Sequence, residues 1–144
     1  EFRICDIQRS IEMTEVLVGL CQALVWQSVQ DYKSGNLKEN LDLEFLNDGL
    51  WKATRFDLDC KVYDTGIEEN VTLKDMILSM FEYSKNGLIK YGNSHIYKWV
   101  ERLDEYRTEA DLQIEEFGNS GFKGLKKYLI SNVDYNKKSI IGVN

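Results

Sequence analysis

The chain has 144 residues, 43% of them apolar and 29% charged, which gives it the means to form a core and excludes a disordered tail. Its net charge of -6 argues against a nucleic-acid surface, which needs clustered Lys and Arg. Three scattered cysteines without a CxxC pair argue against a zinc site or a disulfide framework and fit a reduced, cytoplasmic protein, and the nearly apolar stretch 16–26 is shorter than the roughly 20 residues a bilayer requires.

Residues 1–5 read as a strand. Phe2 and Ile4 face one side, and Glu1, Arg3 and Cys5 face the other. No second long strand follows to satisfy its backbone groups, so its sheet is expected to lie elsewhere and the chain to be a fragment. Ser10 is positioned to cap a long helix that runs to about Ser34 and stops at Gly35-Asn36. That helix carries two apolar stripes, Met13-Leu17-Leu20-Leu24 and Val18-Cys21-Val25-Val29, so burial on more than one side is expected. A second helix is expected from Leu41 to about Leu58, with Leu43, Leu46, Leu50 and Trp51 on one side.

Lys61 to Asp64 suggests a short strand, with a turn at Thr65-Gly66. Thr72 and Asp75 form a capping-box pattern for a third helix, ending near Tyr91 before Gly92. A fourth helix is expected from about His95 to Phe117, then a loop at Gly118 to Gly121, then a last helix over 122–132. The fold class is therefore mostly α, with about five helices and one or two short strands. Residues 1–133 are expected to form one catalytic-domain portion and 134–144 a tail.

The chemistry-bearing pattern is Glu1-x-Arg3. On a strand it puts a carboxylate and a guanidinium on one face, where one offers hard oxygen to Mg²⁺ and the other grips phosphate or carboxylate oxygens. The same spacing is common on exposed strands as a simple ion pair. Arg55, on a helix among apolar neighbours, faces either a substrate cavity or solvent. The lone His95 reads as a residue near a helix start, and one histidine supports no nucleophilic triad. Gly118-x-x-Gly121 lacks the context of a phosphate loop.

Two motifs carry a family resemblance, the first a strand with the helix segment behind it and the second around Arg55. Glu1-Phe2-Arg3-Ile4-Cys5-Asp6, followed by Cys21-Gln22-Ala23-Leu24-Val25, and then Gly49-Leu50-Trp51-Lys52-Ala53-Thr54-Arg55-Phe56, resemble the bacterial carboxylate–amine ligases, also described as type 2 glutamate–cysteine ligases. Thr108-Glu109-Ala110-Asp111-Leu112-Gln113 is a weaker third match, with Glu109 where relatives show Gly. Residues 1–133 resemble the C-terminal portion of such proteins. The resemblance implies an α+β, glutamine-synthetase-like parent fold and phosphorylation of the glutamate γ-carboxylate by Mg²⁺ and ATP. It further implies attack by an amine, from cysteine or another small molecule. Carried over by position, Glu1 is a metal ligand, Arg3 a catalytic phosphate or substrate ligand, and Arg55 a substrate-binding residue. The chain alone is expected to be inactive. Small-molecule substrates are the expected partners, with no nucleic acid and no membrane; a homo-oligomer stays open. The alternative is a non-catalytic helical interaction module.

Overall fold

The computed structural model describes residues 5, 8–37, 42–56 and 58–131. Glu1 and Arg3, with most of the expected first strand, lie outside them, as does the expected tail. Among the described residues the protein is mostly helical, with one small antiparallel sheet.

Helix α1, Ile11–Ser34, begins where the Ser10 hydroxyl accepts from the backbone N–H of Met13 at 3.0 Å. It ends in a Schellman motif. Gly35, at φ 74°, donates to Tyr32, and Asn36 donates to the carbonyl of Asp31 at 2.8 Å. Helix α3, Leu73–Lys90, closes the same way, with Gly92 at φ 72° and Asn93 bonded to Leu88. The glycines are needed at both ends because an L side chain resists this backbone region.

Helix α2, Leu43–Arg55, is shorter at both ends than its apolar pattern suggests. Asp42 caps it by accepting from Glu44 N–H at 2.8 Å. Strands β1, Lys61–Asp64, and β2, Glu69–Thr72, pair antiparallel, with Val62 opposite Val71. The Asp64 carboxylate accepts from Gly66 N–H at 2.6 Å and holds the turn. Thr72 then starts α3 as expected, accepting from Asp75 N–H at 3.0 Å.

The stretch expected as one helix from His95 to Phe117 is divided. A 3-10 turn at Ser94–Ile96 leads into α4, Tyr97–Glu101, then a second 3-10 turn at Leu103–Glu105. Tyr106 is extended, and α5, Glu109–Ser131, starts afresh. The cause is Thr108, whose hydroxyl accepts from Asp111 N–H at 3.2 Å while the Asp111 carboxylate accepts from Thr108 N–H at 3.0 Å. Helix α5 in turn breaks at Gly121, with φ 60° and ψ -161°, inside the segment expected as a loop.

This cap carries a pH dependence. Hydrogen bonds from the Thr108 hydroxyl and backbone, aided by Arg107, hold the Asp111 carboxyl below its ordinary value of 3.8. A carboxylate with a lowered folded pKa stabilises fully above its unfolded pKa and loses that contribution as pH falls through the folded one. Asp111→Asn should therefore flatten the loss of stability below about pH 4 in denaturation titrations; an unchanged acid limb would contradict it. Thr108→Ala should cost about 1 kcal/mol at neutral pH.

The described residues form two compact units: those up to Cys21 together with those from His95 onward, and those between Gln22 and Ser94. The first has Val16, Leu20, Ile96 and Leu103 buried. The second has Ala23, Val62, Phe81 and Leu88 buried, each large side chain contributing about 1.5–3 kcal/mol. Its one buried polar side chain among the described residues, Ser84, is satisfied by donating to the Met80 carbonyl at 2.8 Å. Within this unit Tyr83 donates to the Asp31 carboxylate, and Asn93 donates to Gln22 at 3.1 Å, tying α3 and its exit to α1.

Candidate functional site

Of the three residues expected to carry chemistry, only Arg55 is described. It lies in the last turn of α2, exposed, with its guanidinium carbon 5.8 Å from the centre of the Trp51 ring. The i, i+4 spacing puts both on one flank of the helix. Phe56 packs edge-on against the same Trp51 ring, centroids 5.6 Å apart. The motif around Arg55 is therefore a continuous surface of indole, guanidinium and phenyl. It offers a planar cation to solvent, the form that grips a carboxylate in two places.

The first unit contains a cavity of about 680 Å³ that sequence reasoning did not find. Ser10 and Met13 from the start of α1, Ile96 and Trp99 around α4, and Tyr106 and Leu112 beyond it supply its walls. Trp99 and Tyr106 meet edge to face at 5.2 Å. Burial, and the charges of Glu109 and Asp111, push the Tyr106 hydroxyl up, so it stays protonated at neutral pH. Charged residues line the cavity in both signs: Lys98, Arg102 and Arg107 against Glu12, Glu101 and Glu105. Arg107 is held at 2.6 Å by Glu115, and His95 Nε2 lies 3.0 Å from Glu15. No signal for this cavity existed in one contiguous stretch, because its lining comes from residues about 100 positions apart.

Beside it, Arg9 ties the chain ahead of α1 to α5. Its Nη1 donates to both oxygens of Glu109, at 3.0 and 2.7 Å, and its guanidinium lies 4.0 Å over the Tyr128 ring. Gln113 donates to the same carboxylate at 3.3 Å, and the Tyr128 hydroxyl reaches it at 3.5 Å. Burial alone would lower the Arg9 pKa; hydrogen bonds to Tyr128 and Glu109 outweigh it and hold Arg9 above its ordinary value. The third motif, 108–113, thus consists of a helix cap and an ion-pair hub. Glu109 is the centre of that hub.

Among the described residues no group of three or more His, Cys, Asp or Glu side chains could hold a metal. Glu1, expected as a metal ligand, lies outside them. The three cysteines are free, and burial pushes the Cys21 thiol up, away from reactivity. Among the described residues no helix is long and apolar enough to cross a membrane.

Comparison with known proteins points to one class, the bacterial type 2 glutamate–cysteine ligases, as the resemblance in the motifs implied. The chain is 26% identical over 136 residues, 94% of its length, to a protein of Solibacter usitatus named "Putative glutamate--cysteine ligase 2". Proteins of the same name from Sorangium cellulosum and Chloroflexus aurantiacus are 24% and 25% identical, each over 83% of the chain. The chain spans only about a third of these relatives: 35%, 32% and 31% of their lengths. No family model matches the chain. No solved structure matches it either.

Proposed function

We propose that this chain is the C-terminal part of an ATP-dependent carboxylate–amine ligase of the glutamate–cysteine type, and that it is inactive by itself. The observation that carries the reading is similarity to proteins of that name along 94% of the chain. In the whole protein ATP phosphorylates the glutamate γ-carboxylate. The amine of cysteine, or of another small acceptor, then attacks the acyl carbon. A C–N bond forms, the acyl C–O bond to phosphate breaks, and phosphate leaves while the amine loses a proton.

Glu1 would hold Mg²⁺ and Arg3 would grip the transferring phosphoryl group. Arg55 would bind a substrate carboxylate, to which its exposed position at the end of α2 gives access. Such contacts stabilise charge that is spread over phosphoryl and carboxylate oxygens. The substrates and the absence of a spanning helix among the described residues fit a cytoplasmic enzyme.

In the full-length protein, Arg3→Ala and Arg55→Ala should each lower kcat/KM for ATP-dependent γ-glutamyl amide formation roughly hundredfold, with the melting temperature unchanged. Unchanged turnover in both variants would sink the assignment and favour a helical interaction module. Amide formation by residues 1–144 alone would overturn the proposed inactivity.

A further inference from the structure

Helix α2 is amphipathic, yet none of its residues is buried. Leu43, Leu46 and Leu50 recur at helical spacing on one face and are 71%, 44% and 47% exposed; Trp51 beside them is 55% exposed. The helix is fastened to its own unit by a different flank. Phe45, which points away from the leucine face, stacks on Tyr63 of β1 with centroids 4.3 Å apart. The face that this attachment leaves outward is the most apolar one. A 13-residue helix is close to the limit of roughly 12–15 residues below which helices are marginal in water without packing. Its persistence therefore calls for cover on the leucine face.

We infer that Leu43, Leu46, Leu50 and Trp51 form a docking face, and that the polypeptide making up the remaining length of a full ligase covers it. The inference rests on the reading of the chain as part of such a ligase. Two observations select this occupant. The relatives are about three times as long as the part this chain matches, so ample polypeptide exists to supply an apolar counter-surface. The face also lies on the helix that ends in Arg55, so its cover would fix a substrate-binding residue relative to the rest of the protein. Docking and substrate binding are then carried on one rigid element, the leucines on one side, Arg55 on another and Trp51 at the border between them.

The test is hydrogen exchange, resolved by peptide, on the full-length polypeptide and on residues 1–144, with ligase turnover assayed on the same samples. Amides of 43–55 should exchange roughly a hundredfold more slowly in the full-length protein, while those of 73–90 change little. Leu46→Asp with Leu50→Asp in the full-length protein should remove most of that protection; if that pair prevents folding, Leu50→Ala should remove part of it. Equal exchange of α2 in both polypeptides overturns the inference. So does protection of residues 1–144 that rises with protein concentration, because a second copy would then be the occupant. So does a gene product with no further residues to cover the face. Protection without turnover supports the docking face and removes the ligase reading; turnover with α2 unprotected does the reverse.

Discussion

Gly87→Val is expected to destabilise the second unit by about 3 kcal/mol, a fall in Tm of roughly 10 °C. A Cβ at Gly87 would stand 2.6 Å from the Ala23 carbonyl oxygen, 2.8 Å from its Cα and 3.0 Å from its Cβ. Two of those three atoms are backbone of α1, which cannot turn aside as a flexible side chain can. Ala23 is fully buried, so the helices must part to admit any side chain. The helix propensity gained by replacing glycine is at most about 1 kcal/mol and does not offset the clash. Gly87→Ala should thus also destabilise, by a smaller amount. Ala23→Gly should rescue it poorly, since the carbonyl oxygen stays in place. Wild-type melting of Gly87→Val would show that α1 and α3 do not approach in this way.

The second large effect is expected at Arg9. Arg9→Met keeps an apolar stem over the Tyr128 ring but removes the donor from Glu109, leaving a half-buried carboxylate with only Gln113 and Tyr128. The Arg9 side chain is 16% exposed, so solvent does not readily replace it. A loss of about 2 kcal/mol follows, in the range for hydrogen bonds to charged groups. Arg9→Met combined with Glu109→Gln should cost less than the sum of the two single changes, because each alone leaves the other partner unpaired. Strict additivity in that double-mutant cycle would show that the two side chains do not interact in solution.

Local chemistry made much of the fold legible in the sequence. Ser10, Thr72, Gly35 and Gly92 marked helix ends correctly because caps act within a few residues. The apolar period through 95–117 hid a break. Thr108-x-x-Asp111 repeats the Thr72-x-x-Asp75 signature, yet it sat inside a continuous apolar pattern and within a family motif. Periodicity reports which face is apolar and does not report where a new cap interrupts it. The two stripes of α1 show a related limit: Leu20 of the first is buried, whereas Val18, Val25 and Val29 of the second are exposed. Pattern alone predicts that a face wants cover, and not whether this chain supplies it. The cavity and the Arg9 hub were invisible for another reason, since their partners are about 100 residues apart and no local rule joins them. Arg55 stood out through the resemblance; its spacing alone favoured a surface residue.

The discontinuity of the first unit bears on how the chain folds. The Arg9–Glu109 pair joins residues 100 positions apart, and the unit has no complete set of partners until the segment beyond residue 94 has been made. Residues 22–94 form an uninterrupted stretch whose ends meet where Asn93 donates to Gln22, so during synthesis they can condense before the segment beyond residue 94 is made. Doing so shortens the effective loop that the first unit must close, and loop closure grows costlier with length. Translation order and chain connectivity thus favour one sequence of events, in which residues 22–94 fold first and the pairing of Arg9 with Glu109 follows.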